Sequence, residues 1–286
     1  MRWSAVAGAA AAVVALVSGC TTATDSDAGT ERPEAIVSLS PSLTETLWAV
    51  GAGDQVIAVD ALSDYPAGVP TTDLSGFSPN VEAVLGHNPD LVVASDDIGG
   101  LVSGLQAAGV PTLLLPAAKT LDDVYEQVEQ VGAATGHADE ADELATRMRS
   151  EIDAAVAAAP DREQPLRYFH EVDDTLYTIT GNTFLGEIYR LFGLESIADG
   201  SADTYPQLSP EFVVAANPDL IFLADGEYGV TAATVAARPG WAGMRAVEDG
   251  RIHTLDEDLA SRWGPRVVDL VHAVAAAVAA QPAPAR

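Results

Sequence analysis

The chain has 286 residues, of which 48% are hydrophobic and 20% charged, so it suits one large or two medium folded domains and is too apolar for a disordered chain. A formal net charge of −28 with only 14 Lys and Arg excludes a nucleic-acid partner, because neutralising phosphates needs cations. The acidity otherwise reads as solubility or adaptation to the surroundings, not as the address of one electrostatic partner.

At the start, Arg2 gives a positive region, Ala5 to Leu16 an apolar core, and Val17-Ser18-Gly19 a small-residue cleavage site before Cys20. The apolar stretch is short for a membrane span. V-S-G-C resembles the lipobox of bacterial lipoproteins, which implies that Cys20 becomes a lipidated N-terminus. Cys20 is the only cysteine, so no disulfide within the chain is available, and a thiol at this boundary suits acylation better than catalysis. An ordinary secretory peptide with an incidental Cys is the rival. Residues 1–20 are therefore expected to be a lipoprotein signal peptide. Residues 21–34 are expected to be a flexible polar tether, holding an extracytoplasmic body to the outer face of the cell membrane or to its periplasmic face.

Ala35 to Leu39 predicts a strand running into S-P-S-L-T-E, where Ser42 and Glu45 have capping-box spacing and Gly51 closes a helix. Strands follow at Val56 to Val59, Leu91 to Ala94 and Pro111 to Leu115, with a turn-rich stretch at 63–76 and a helix at Leu101 to Ala108. From Leu121 to Ala159 the period is helical, broken at Gly136. Ala141, Leu144, Ala145, Met148, Ile152 and Val156 line one face of a helix about 30 Å long. Strands resume at Arg167 to Val172, Leu220 to Ala224 and Arg251 to Leu255, with helices at Thr183 to Phe192 and Val267 to Ala279. Strand–helix alternation on both sides of one long helix predicts an α/β protein with two lobes of mostly parallel sheet.

One unit occurs twice. Residues 78–97, S-P-N-V-E-A-V-L-G-H-N-P-D-L-V-V-A-S-D-D, and 209–225, S-P-E-F-V-V-A-A-N-P-D-L-I-F-L-A-D, share one order. Ser caps a helix, Pro opens it, a Glu follows, N-P-D stops it, and an apolar strand comes next. Duplicated lobes are expected at 35–118 and 161–286, joined by a helical linker at 119–160, with the working surface between them.

These repeats, together with I-V-S-L-S-P-S-L-T-E-T-L-W-A-V-G-A-G-D at 36–54, S-D-Y-P at 63–66, F-L-G-E-I-Y-R-L-F-G-L-E-S-I-A-D at 184–199 and Y-P-Q-L-S-P-E at 205–211, resemble a known family. It is that of the bacterial solute-binding lipoproteins and periplasmic proteins of iron-siderophore and vitamin B12 ABC transporters. The resemblance covers residues 35 to 275 or so. It implies the class III periplasmic-binding-protein plan of two Rossmann-like lobes joined by one long helix. It also implies capture of a ferric siderophore or cobalamin-type corrinoid and delivery to an ABC permease and ATPase complex by a monomer with no resident cofactor. Glu82 and Glu211 match the acids that contact arginines on the permease, a bidentate pairing. Each also suits its helix N-terminus electrostatically, by about 0.3–1 kcal/mol.

Cargo is expected at the carboxyl ends of the parallel strands. In the first lobe that selects Ser40, Ser42, Asp64, Tyr65, Phe77, Asp96 and Asp97; in the second, His170, Glu171, Tyr205, Tyr228, Arg262 and Trp263. Duller roles fit several of them: Ser42 as a cap, Tyr65 as a turn residue, Phe77 and Trp263 as surface plugs, Arg262 as the partner of a nearby Asp. Tyr205 matches an aromatic of B12-binding relatives, whereas Leu62 stands where cobalamin binders often carry another.

No enzyme is expected. G-x-S-x-G and P-loop motifs are absent, G-A-G-D-Q-V at 51–56 lacks the last glycine of a dinucleotide fingerprint, and His170-Glu171 fails as H-E-x-x-H at Asp174. A direct metal-ion or haem carrier of the same fold is one alternative, but His87, His137 and His272 fall away from the cleft and His170 and His253 alone are too few for a His-rich metal site, so no metal site is expected. A surface sensor or adhesin without transport is the other.

Overall fold

The computed structural model describes residues 32 to 280, so the expected leader, Cys20 and most of the tether lie outside the described residues. The first lobe comprises β1 (Ile36–Ser38), α1 (Pro41–Ala49), β2 (Val56–Val59), α2 (Val81–Leu85), β3 (Leu91–Ala94), α3 (Leu101–Ala107) and β4 (Thr112–Leu114). Two linker helices follow, α4 (Leu121–Thr135) and α5 (Ala138–Ala157). The second lobe contains β5 (Leu166–Glu171), α6 (Phe184–Leu191), β6 (Leu194–Ser196), α7 (Pro210–Ala216), β7 (Leu220–Leu223), α8 (Ala232–Ala236), α9 (Arg245–Glu248) and β8 (Ile252–Thr254). The chain closes with α10 (Glu257–Ser261) and α11 (Val267–Ala279).

The strands form two separate four-stranded sheets, ordered β2-β1-β3-β4 and β6-β5-β7-β8, parallel throughout. The same order in each is the duplication expected from the repeated unit. Strand β6 was not expected: its three residues show no readable alternation, and pairing with β5 makes it a strand.

Each N-P-D does two jobs. Asn88 and Asn217 turn the chain at positive φ, 56° and 48°, a conformation Asn tolerates better than most residues. The Asp then ties down the entry of its lobe's first strand: Asp90 accepts from the backbone N–H of Glu34 and Ala35 at 2.8 and 3.1 Å, and Asp219 from that of Arg167 at 2.9 Å. The end of the expected tether is thus held on the body, since Arg32 also donates to Gln55. The caps differ between copies. Ser209 caps α7 with Pro210 first, as expected, but Asn80 and not Ser78 caps α2, accepting from Ala83 N at 3.1 Å.

Alternation along the strands builds three cores. Ile36, Leu91 and Val93 of one sheet and Tyr168, Leu220 and Phe222 of the other face a single buried cluster, which continues through α1, α4, α5, α6 and α11. Their neighbours Val37, Val92 and Ala94 face an outer core under α2 and α3, and Phe169, Ile221 and Leu223 face another containing Trp241. Both sheets are covered on both faces, as parallel sheets require. Helix α5 buries Ala141, Leu144, Ala145, Met148 and Ile152 in the shared core and, at 20 residues, runs about 30 Å. Gly136, at φ 76°, ends α4 where the break was expected.

The α4–α5 crossing depends on one small residue. A Cβ at Gly132 would lie 2.3 Å from Ala141 Cβ and 2.7 Å from the His137 carbonyl oxygen. Gly132→Val is therefore expected to destabilise by about 1–3 kcal/mol, read as a lower midpoint in thermal unfolding followed by circular dichroism. An unchanged midpoint would refute the tight crossing.

Candidate ligand-binding cleft

The carboxyl ends of both sheets open on one side of the molecule. There α10 and residues 262–266 leave the second lobe and lie against α1 of the first. This strap divides the opening into two chambers of about 460 and 310 Å³, and Glu257, Ser261, Arg262 and Trp263 line both.

Of the residues expected at the site, Ser40, Ser42, Asp64, Phe77, Asp96, Arg262 and Trp263 line the first chamber, and His170, Tyr205, Arg262 and Trp263 the second. The first also takes Asp60, Leu62 and Asp258, and the second the apolar Val172, Ile179, Phe184 and Leu185. Burial holds the Asp60 carboxyl above its usual range, against hydrogen bonds from Ser63 and Gly76. Gly76 is required there, since a Cβ would meet the Leu39 carbonyl oxygen at 2.2 Å. His170 is buried, with Nδ1 2.8 Å from the Tyr189 hydroxyl, and burial pushes its pKa down to about 4, leaving a neutral imidazole at pH 7.

Four expected residues line neither chamber. Glu171 is fully buried, and both its oxygens accept from Arg238, at 2.6 and 2.5 Å. Beside it Asp225 has its carboxyl pushed up to about 7 by burial and by the Glu171 charge. Tyr65 lies under the guanidinium of Arg266, 4.1 Å from ring centre to charge. Asp97 accepts from the backbone of Val102 at 2.9 Å, at the start of α3, and leaves its neighbour Asp96 to the cleft. Tyr228 is exposed at the rim, its hydroxyl donating to Glu257 at 3.3 Å.

The Ser42–Glu45 capping box is not formed. Helix α1 starts at Pro41 with Ser40 in the cap position, so Ser42 is already inside the helix and its hydroxyl accepts from the backbone N–H of Trp263 at 3.2 Å. Glu45 is buried and accepts from Arg262 Nη1 at 3.0 Å and from Arg266 Nε and Nη2 at 2.9 and 2.6 Å. Two guanidiniums outcompete one backbone N–H for a carboxylate. Arg262 also reaches Asp64 at 2.9 Å and Asp258 at 2.5 Å, so the expected pairing with neighbouring acids is the one observed. Sequence reasoning passed over Asp60, Glu257, Asp258 and Phe184; their one signal was position, just past a strand or at a helix start facing the strand ends.

Glu82 and Glu211 are exposed in the first turns of α2 and α7. Each helix returns antiparallel to the strand it precedes, so both acids lie on the carboxyl-end side of their sheets, the side of the cleft. Among the described residues no group of three or more His, Cys, Asp or Glu is placed to hold a metal ion, and no helix is long and apolar enough to cross a membrane.

The ABC transporter substrate-binding lipoprotein YvrC of Bacillus subtilis is 32% identical over 257 residues, 87% of this chain and 81% of that protein. A cobalamin-binding protein of Halobacterium salinarum is 32% identical over 83% of this chain and 67% of its own length. Among solved structures, the periplasmic haem-binding protein RhuT from Roseiflexus superposes with a TM-score of 0.75 at 28% identity, covering 87% of this chain and 99% of that one. The periplasmic binding protein model matches residues 36–259, nearly all of both lobes, and this chain belongs to that family.

Proposed function

We propose that this chain is the cargo receptor of an ABC importer, working outside the cytoplasm on a lipid anchor at Cys20, and that its cargo is a corrinoid or a similar metal macrocycle rimmed by amides. The carrying observation is the charge of the cleft. Asp60, Asp64, Asp96, Glu257 and Asp258 line the first chamber with one guanidinium, Arg262, which is already paired with Glu45, Asp64 and Asp258. Cargo bearing carboxylates meets repulsion there, whereas amide N–H groups meet acceptors. Phe77, Trp263, Phe184 and Tyr205 supply apolar faces for a ring, and Ser40 Oγ and Trp263 Nε1 have no protein hydrogen-bond partner. The cobalamin-binding relative supports the same cargo class. The reading involves no covalent chemistry; a metal ion enters only as part of the cargo.

A second reading, a haem carrier, is favoured by the neutral imidazole of His170 on the second chamber and by the haem-binding neighbour. Titration of tryptophan emission with cyanocobalamin and with ferric haem separates them. The corrinoid reading expects saturable quenching by cyanocobalamin and haem affinity weaker by about tenfold or more. Tighter haem binding, with a Soret shift lost in His170→Gln, would favour the second.

Delivery to the permease rests on Glu82 and Glu211. Replacing both by Ala is expected to leave cargo affinity within about twofold and to abolish uptake in cells. Reduced affinity with unchanged uptake per bound cargo would overturn the docking role.

A further inference from the structure

Glu45 takes two of the 14 basic side chains in the chain, and both come from the strap. Its carboxylate is buried on α1 at the base of the cleft. Arg262 is its contact with the first chamber, and that guanidinium also binds Asp64, Asp258 and, at 3.2 Å, the Leu62 carbonyl oxygen. Three carboxylates, Glu45, Asp64 and Asp258, thus surround two guanidiniums, Arg262 and Arg266, and the cluster carries one net negative charge. Stability does not account for this, because buried ion pairs are often no better than apolar packing of the same shape. The cluster does have an electrostatic consequence. Arg262 is the only Lys or Arg in the lining of either chamber, His170 being neutral, and its positive charge is cancelled before any cargo arrives.

We propose that Glu45 determines the charge selectivity of the cleft: by engaging Arg262 and Arg266 from beneath, it makes the site take neutral or cationic cargo and refuse anionic cargo. This rests on the cleft being the cargo site, not on the cargo being a corrinoid. Glu45→Gln keeps the shape, leaves two carboxylates against two guanidiniums, and frees an Arg262 donor to meet an anion. Glu45 is a positioning residue, acting through Arg262 without itself lining a chamber.

The test uses two fluorescent probes of one shape, anilinonaphthalenesulfonate and N-phenyl-naphthylamine, which differ by the anionic sulfonate. Glu45→Gln in the full chain is expected to bind the sulfonate about five- to tenfold more tightly, with the uncharged probe within about twofold. Adding Arg262→Gln should remove the gain, and Glu45→Asp should show none. Equal gains for both probes would mean a merely loosened fold and would overturn the proposal, as would no gain for either. The unmodified protein provides a check that needs no variant: added salt should strengthen its binding of the sulfonate by screening repulsion, and weakening by salt contradicts the proposal. Failure of the protein to bind cyanocobalamin would remove the corrinoid reading while leaving this result intact, since neither probe contains a metal.

Discussion

One apolar core joins the two lobes, and the cleft exists because that core does not let them part. Residues from both sheets pack into the same buried cluster through α4, α5 and α11, so separating the lobes would expose Tyr168, Phe222, Met148 and Ile152 together. Exposing each such side chain costs about 1.5–3 kcal/mol, so the four together cost about as much as a micromolar-to-nanomolar ligand returns on binding, and parting the lobes would leave little net affinity. On the cleft side the strap adds the contacts of Trp263 with Ser42 and of Arg262 and Arg266 with Glu45. The site is therefore built before cargo arrives, and its walls have fixed spacing.

A preformed cleft makes recognition a matter of chemistry more than of closure. The polar side chains of the first chamber are mostly acceptors, while the second is walled by Val172, Ile179, Phe184 and Leu185. Such a site sorts cargo by the charge of its rim and by a face that fits apolar walls. Exposed acids at the N-termini of α2 and α7 lie on the same side, so a partner that reads both also reads the spacing of the lobes.

What was legible in the sequence was what neighbouring residues decide. The two N-P-D units, with capping residues before and apolar runs after, marked matching halves, and they fold with identical strand order. The stripe from Ala141 to Ile152 marked the bridging helix. Position at or beyond the carboxyl end of a strand picked out Ser40, Phe77, His170 and Tyr205 for the cleft. Asp97 was lost to a local partner, the backbone of Val102, but the larger failures involve distant ones. Glu45 has capping-box spacing after Ser42, but the groups that claim it lie more than 200 residues away. Glu171 sits at a strand end like any cleft residue, yet Arg238, from the segment after α8, reaches it first. Tyr65 is similarly taken by Arg266. Local pattern places a side chain at the right end of a sheet, and only the tertiary fold decides whether another side chain occupies it.

The fixed spacing of the lobes is tested most directly by the distance between spin labels placed at residues 82 and 211, measured by pulsed electron resonance with Cys20 replaced by Ser. One narrow distribution is expected in the free protein, with its centre unchanged on adding cyanocobalamin or ferric haem. A broad or two-peaked distribution in the free protein, or a shift of several ångströms on adding either compound, would contradict it.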